Sequence, residues 1–160
     1  MWYPAAVAAP ATEPVTLSQA KAHVRVDHSD DDTLLTATIK AARAHIEAAC
    51  AVRFAPRTGV TMRCDGFADL ARLPEAPVTS ITSITYLDTA GASQTLATTV
   101  YELRADGIDA GIVLKPNQTW PAIQTGSRIT VTAAIGYATV PEDAYHAMLM
   151  LIGHFYENRN

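Results

Sequence analysis

The sequence has little of what disulfide frameworks, metal sites and membrane spans require. Two cysteines, Cys50 and Cys64, occur in 160 residues, too few for a disulfide framework and without a metal-site spacing. The best apolar run, residues 147–153, is far shorter than the roughly 18 residues of a membrane span. The Ala/Pro-rich start lacks the basic region of a signal peptide. We therefore expect a soluble protein made in a reducing cytoplasm.

A strong positive charge is also missing. The net charge is −4, with 49% hydrophobic and 18% charged residues, a composition typical of a folded domain. A general DNA- or RNA-binding protein would normally carry a basic patch. The sequence therefore favours a single folded domain over residues 15–160, with no general affinity for nucleic acid.

Two helices are predicted in the N-terminal third. Residues 16–19, Thr-Leu-Ser-Gln, match a capping box and start a helix over residues 17–27. The acidic run at residues 27–32 ends it and begins a second helix over residues 31–52, because carboxylates favour a helix N-terminus. Apolar residues at spacings of four and three predict its buried face: Leu35, Ile39, Ala42, Ile46 and Ala49. Cys50, on the same helix, is also expected to be buried.

The hydrophobic period changes to two from about residue 57. Val60, Met62 and Cys64 alternate with polar residues, as do the odd-numbered positions 129–135, which predicts about five or six strands over residues 57–137. The fold class is therefore α+β. We expect a small helical bundle of two N-terminal helices plus a C-terminal helix, with a β-rich insertion between helices 2 and 3.

The C-terminal helix is predicted over residues 141–158, with Pro141 at its first position. Two apolar stripes lie side by side on it: Ala144, Met148, Leu151 and Phe155 form one, and Tyr145, Leu149, Ile152 and Tyr156 form the other. A helix that is apolar on two faces is either central to its own core or packed against a partner.

The N-terminal residues 1–14 are predicted to form an extended arm. Trp2 and Tyr3 lie on this arm without an obvious partner within the chain. Large aromatic residues are favoured anchors at protein interfaces. An interface role and disorder are both open for them.

No residue pattern indicates catalysis, a cofactor or a metal. Residues 27–32 only superficially resemble a calcium loop, because an EF-hand needs glycine at Asp32 and glutamate at Thr38. The five histidines have no recognised catalytic or zinc-binding context. A hydrolase that uses His23, His28 and Asp30 is kept as an alternative in a different class.

Trp120 is another residue for which two roles are open, a structural one and a ligand-binding one. It lies in a loop of the β region, beside Pro121, and is expected to be a packing anchor. The alternative is stacking on a carbohydrate or other ligand. This keeps open a small ligand- or glycan-binding module that uses the β insertion around Trp120.

An ordered set of segments resembles a known family. The segments are residues 13–27 (EPVTLSQAKAHVRVD), 30–32 with Leu34-Leu35, Leu73-Pro74, residues 77–88 (PVTSITSITYLD), Trp120-Pro121, Gly136-Tyr137, Val140-Pro141, and residues 154–159 (HFYENR). Together they resemble phage head–tail connector proteins. These are also called adaptor or head-completion proteins of tailed phages and gene transfer agents.

The resemblance implies a non-enzymatic ring component in the neck of a virion or phage-like particle. Such adaptors bind beneath the portal in several copies and carry the next stopper or tail protein. Their helices surround a channel through which DNA passes without sequence-specific binding. Ala144, Met148 and Leu151 would then face the protein's own helices. The candidate portal contacts by position are Tyr145, Leu149, Ile152, His154, Phe155, Tyr156, Asn158 and Arg159.

Overall fold

Residues 1–158 are described by a computed structural model of the chain. The fold is α+β, with three helices and with strands between the second and third helix. The chain forms two compact units. The sheet unit comprises Met1–Ala9 and Arg57–Gly136, and the helical unit comprises Pro10–Pro56 and Tyr137–Asn160. This division differs from the predicted arm followed by one domain, because residues 1–9 belong to the sheet unit.

The helical unit contains α1 (Leu17–Val24), α2 (Asp32–Cys50) and α3 (Glu142–Glu157). The predicted capping box is confirmed, with the Thr16 hydroxyl accepting from the Gln19 backbone N–H at 3.2 Å and the Gln19 Oε1 accepting from the Thr16 N–H at 2.9 Å. These bonds satisfy two donors that the first turn would otherwise leave unpaired.

The helix ends differ slightly from the predicted bounds. Arg25 adopts a left-handed conformation with φ 56°, which ends α1 at Val24 instead of at residue 27. Ala51, with φ 53°, ends α2 in the same way. Pro141 is extended, with φ −56° and ψ 140°, so it precedes the first helical residue of α3 instead of occupying it.

The core of the helical unit is built mainly by one face of α2 and one face of α3. Four of the five predicted α2 residues are buried, namely Leu35, Ile39, Ala42 and Ile46. Ala49 and Cys50 are exposed, which corrects the expectation of a buried Cys50 thiol. Glu47 is the last buried residue of α2, so the final turn extends past the core.

The sheet unit contains seven strands within the described residues. They are β1 (Trp2–Ala6), β2 (Arg57–Cys64), β3 (Val78–Leu87), β4 (Ser93–Thr95), β5 (Tyr101–Asp106), β6 (Asp109–Leu114) and β7 (Ile129–Ile135). Five form an antiparallel sheet in the order β1-β2-β7-β3-β4, and β5 and β6 form a separate hairpin.

The predicted alternation in the sheet is confirmed. Ile129, Val131, Ala133 and Ile135 of β7 are all at most 1% exposed, and Val60, Met62 and Cys64 of β2 are buried with them. Residues between them on β7 are only half-buried, as expected for a sheet with one face on the core. The sheet unit thus has its own hydrophobic core.

A 3-10 helix at Phe67–Ala71 packs closely against β6. A Cβ atom at Gly111 would lie 2.2 Å from the Ala71 carbonyl oxygen, so only glycine fits there. The Leu73 N–H donates to the Ala110 carbonyl at 2.7 Å, which closes the same contact. None of the described helices combines the length and the apolar character that crossing a lipid bilayer requires.

Candidate partner interface

The predicted interface residues of α3 separate into three environments. His154 and Asn158 are exposed, whereas Tyr145, Phe155 and Tyr156 are half-buried. Leu149 and Ile152 are buried, with exposures of 9% and 0%. Arg159 lies outside the described residues.

The burial of Leu149 and Ile152 corrects the sequence-based assignment of these two residues to a partner surface. Both belong to the core of the helical unit together with Ala144 and Met148. Leu151, which was expected to face the protein's own helices, is only half-buried. The buried face of α3 therefore includes Met148 from one predicted stripe and Leu149 and Ile152 from the other.

The last described residues of α3 form a compact tip, defined here as residues 154–158. The Asn158 side-chain amide donates to the His154 carbonyl oxygen at 2.9 Å, and the Asn158 backbone N–H reaches the same oxygen at 3.0 Å. These two bonds satisfy a carbonyl that the helix end would leave unpaired. The exposed His154 ring is thereby carried on an ordered helix end.

Phe155 lies between two histidine rings. Its ring is perpendicular to His45 of α2 at a centroid distance of 6.5 Å and is tilted against His154 at 6.0 Å. Edge-to-face contacts of this kind orient an aromatic ring. Phe155 keeps a solvent-facing part because it is only half-buried.

Tyr156 is tied to the segment that precedes α2. Its hydroxyl donates a hydrogen bond to the Asp31 carboxylate. Asp31 stands at the N-cap position of α2, but its side chain makes no capping hydrogen bond there. The expected capping role is thus replaced by a contact that holds the tip of α3 against the start of α2.

A buried ion-pair network lies within the helical unit. The Arg43 Nε atom donates to Glu13 Oε2 at 2.6 Å and its Nη1 atom to Glu47 Oε2 at 2.8 Å. The Phe54 N–H donates to Glu47 Oε1 at 3.0 Å. Burial lowers the pKa of the Arg43 guanidinium, but the bonds and charges of the two glutamates outweigh it and raise the pKa above its ordinary value.

Trp2 and Tyr3 have partners within the chain, contrary to the sequence-based expectation. Trp2 Nε1 donates to the carbonyl oxygens of Asp69 and Arg72 at 3.1 and 2.8 Å. The Tyr3 hydroxyl donates to Asp65 at 2.8 Å, and the Arg128 guanidinium carbon lies 3.8 Å from the Tyr3 ring centroid. Because β1 pairs with β2, these aromatics anchor an edge strand and not a free arm.

The described residues show no group of three or more histidine, cysteine or acidic side chains that could hold a metal. His28 Nδ1 lies 3.8 Å from Asp30 Oδ2, with both side chains at least half exposed. Burial raises the pKa of the Cys64 thiol to about 11, so it stays protonated and is a poor nucleophile at neutral pH.

Trp120 is a packing residue, as expected. Its ring stacks on Phe67 at a centroid distance of 4.8 Å with an interplanar angle of 2°, and Phe67 also meets Tyr86 edge-on at 5.7 Å. One face of the Trp120 ring is therefore used by the core of the sheet unit. The remaining exposure is partial.

Met150 was not singled out by sequence reasoning, yet it is 71% exposed in the middle of α3. It lies on the opposite side of α3 from both apolar stripes. A helical wheel centred on Met148 and Ile152 would have placed it on the outer face, since two residues along an α-helix turn through roughly 200°. Its exposure adds an apolar side chain to a face of otherwise polar residues.

Chains of the same fold occur in three solved structures of gene transfer agent (GTA) particles. One, from the neck of an empty particle computed with C6 symmetry, has a TM-score of 0.78 and 21% identity, covering 100% of this chain and 85% of the other. A chain of a native virion has a TM-score of 0.77 and 24% identity, covering 100% and 86%. A chain from a native neck computed with C12 symmetry has a TM-score of 0.72 and 22% identity, covering 96% and 82%.

These structures share the fold of this chain, and a comparison of its sequence with protein-family models identifies its family. The model of the head completion protein family matches residues 14–160. The chain therefore belongs to the head completion protein family, which confirms the resemblance noted in its sequence. A comparison with curated protein sequences gives no match.

Proposed function

We propose that this protein is a structural adaptor in the neck of a tailed phage or phage-like particle. Several copies form a ring under the portal, surround the DNA channel and join the head to a downstream stopper or tail protein. The protein acts by assembly and docking, without catalysis, cofactor or metal. Its site of action is the particle neck.

The observation that carries this proposal is the ordered tip of α3 in a member of the head completion protein family. Phe155 and Tyr156 are half-buried and His154 is exposed, and the Tyr156–Asp31 bond holds them in place. Half-exposed aromatics with neighbouring polar groups are the usual anchors of interfaces. A tip that is already ordered loses less conformational entropy on binding.

The proposal of a ring is supported by the structural relatives. Two of the chains with this fold come from necks computed with C6 and C12 symmetry. A subunit that repeats around such an axis contacts its neighbours through two different surfaces. We extend this arrangement to the present chain.

The negative net charge of the chain suits the wall of a channel through which DNA passes without binding. The net charge is −4, and in the helical unit acidic residues outnumber basic ones. Like charge repels phosphate, whereas proteins that hold DNA neutralise its phosphates with lysine and arginine. Sequence-specific recognition is not part of the proposed role.

The docking surface is tested with two histidines of α3. His154→Ala, alone and combined with Phe155→Ala, should leave a folded subunit that joins the cognate portal poorly, because the tip loses its anchors. His146→Ala is the matched control, since His146 is also exposed on α3 but lies two turns before the tip. Co-sedimentation with purified portal and tailing of portal-bearing heads measure the outcome.

Comparing the tip variants with His146→Ala separates an effect on docking from an effect on stability. Loss of portal binding by the tip variants, with normal circular dichroism and normal binding by His146→Ala, would support the assignment. Normal tailing by the double variant would remove the tip from the interface. Binding lost equally in all variants would point to a role of the helix fold instead of the tip.

A further inference from the structure

Two large hydrophobic residues of the helical unit remain exposed in the described structure. Met150 of α3 is 71% exposed and Leu34 of α2 is 38% exposed, although their neighbours Met148 and Leu35 are 1% and 0% exposed. Each lies on the outer face of a helix whose inner face builds the core. A single exposed hydrophobic is common on protein surfaces, so the surroundings of these two residues decide whether they belong to a contact surface.

The outer face of α2 has the shape of a helix-packing seam. Its apolar residues follow spacings of three, four, three and four, and all of them are exposed: Leu34, Ala37, Ala41, Ala44 and Ala48. At 3.6 residues per turn this line lies roughly 150° around the axis from the buried line. Heptad spacing of this kind places a row of residues against a second helix, and alanines leave room for a large side chain between them.

The outer face of α2 also carries a shallow, open concavity along its first half. Ala37 of the alanine row lines it together with Asp32, Thr33, Thr36 and Lys40. Met150 has a flexible, unbranched side chain that adapts to an irregular surface of this kind.

Charge points in the same direction. The exposed charge on α2 beyond its first turn is Lys40, and Asp32 at its start is paired with Lys21 at 2.7 Å. The exposed face of α3 is acidic at both ends through Glu142, Asp143 and Glu157, and α3 contains no lysine or arginine. Acidic residues thus flank the protruding Met150 on α3, whereas Lys40 lies beside the alanine row of α2, so the two faces carry opposite charges.

We infer that Met150 of one copy packs into the alanine-lined outer face of α2 in the next copy, with Lys40 facing the acidic residues of the neighbour's α3. The occupant is a second copy because the acidic α3 face that carries Met150 and the α2 face that carries Lys40 have opposite charges and belong to the same chain. A head-to-tail contact of this kind repeats from copy to copy and gives a ring when its rotation closes, whereas a face that pairs with itself gives only a two-fold dimer. The inference rests on the proposed ring and assigns one of its contacts to named residues.

Cysteine cross-linking on the assembled particle tests this contact. The parent is the full-length Cys50→Ser chain, since Cys50 is exposed and Cys64 is buried. Met150→Cys combined with Ala41→Cys is bound to purified cognate portal and treated with a short bis-maleimide. Denaturing gels should show a ladder of linked copies, while Ala41→Cys alone in the same parent should give none.

Two substitutions of Met150 test the same contact without cross-linking. Met150→Glu places a charge against the alanine row of α2 and should lower the yield of portal-bound rings about tenfold or more, whereas Met150→Leu should retain it. The circular dichroism of both variants should match that of the parent, since the side chain is exposed.

The possible results distinguish the inference from the function on which it rests. If the parent forms rings on the portal but the Met150/Ala41 pair gives no ladder, this contact is wrong and the ring stands. If Met150→Cys alone gives a linked dimer, the contact is two-fold and the inference is also wrong. If the parent forms no ring on the portal, both the proposed function and the contact fail.

Discussion

The two units of the chain use their large side chains differently. In the sheet unit the aromatic residues Trp2, Phe67, Tyr86 and Trp120 pack on its own core. Among the described residues each unit leaves two large hydrophobics exposed, Met1 and Ile108 in the sheet unit and Leu34 and Met150 in the helical unit. Met1 precedes β1 and Ile108 lies in the turn between β5 and β6, whereas Leu34 and Met150 lie on helix faces. The exposed hydrophobics of the helical unit therefore lie on regular surfaces that suit a partner, whereas those of the sheet unit do not lie on a strand.

The units also differ in how they handle charge. The helical unit buries Glu47 and Arg43 at 2% and 8% exposure, where they form the ion-pair network. The sheet unit places the Arg104–Glu102 pair, at 3.0 Å, on its surface. A buried pair costs much to break, because the remaining partner is left charged without compensation. Breaking the buried pair should therefore cost more stability than breaking the exposed one.

The largest predicted effect breaks the buried network. Glu47→Ala leaves Arg43 with one carboxylate partner and the Phe54 N–H with no acceptor from Glu47, so we expect a loss of about 3–5 kcal/mol in the free energy of unfolding. Glu102→Ala, at the exposed pair of the sheet unit, should cost about 0–1 kcal/mol. Urea denaturation measures both, and equal losses would contradict the contrast between the units.

The next prediction separates the two faces of α3. Ile152→Ala removes a fully buried side chain and should cost about 2–5 kcal/mol. Met150→Ala, two residues earlier on the same helix, should change stability by no more than about 0.5 kcal/mol because its side chain is exposed. Thermal and urea denaturation give the comparison. A large loss for Met150→Ala would mean that this residue packs within its own subunit.

A smaller effect is expected at the close contact inside the sheet unit. Gly111→Ala forces a Cβ atom to within 2.2 Å of the Ala71 carbonyl oxygen, and the shift that relieves this clash should cost about 1–3 kcal/mol. Gly66→Ala is the matched control in the same unit, since no atom lies within 4 Å of its added Cβ. Similar stabilities of the two variants would show that the 3-10 helix is free to move away from β6.

The smallest effect concerns acid sensitivity of the β3–β4 turn. A hydrogen bond from Gln94 and further bonds from the backbone N–H groups of Ala92 and Ala90 lower the pKa of Asp88. A lowered folded-state pKa stabilises the fold above the ordinary pKa of about 4, and this contribution is lost as the pH falls through the folded value. The protection factor of the Ala92 amide, which is its intrinsic exchange rate divided by its observed rate at the same pH, should therefore fall on acidification in the wild type and less so in Asp88→Asn. Identical profiles would contradict this.

Much of the fold could be predicted from local patterns. The capping box at Thr16, the period of three and four on α2 and the period of two on β7 each depend on neighbours in the sequence, and the structure confirms all three. The pairing of β1 with β2 could not be predicted in this way. It joins Trp2 to Cys64, more than sixty residues apart, and Pro4 and the alanines of the segment carry no strand signal.

The candidate site could be predicted only in part for a similar reason. Two adjacent apolar stripes on α3 leave open which residues face the core, and tertiary packing selects Met148, Leu149 and Ile152 from both. The role of Asp31 as the acceptor of the Tyr156 hydroxyl also depends on distant parts of the chain. An exposed methionine has no local signal apart from its position on the helical wheel.

The proposed function depends on docking of the α3 tip beneath a portal by a ring of copies. Cryo-electron microscopy of the full-length chain mixed with its cognate portal is the decisive test of this docking. We expect a ring coaxial with the portal, with His154 and Phe155 of every copy in contact with portal residues. A ring whose α3 tips face solvent, or a portal that recruits no copies, would contradict it.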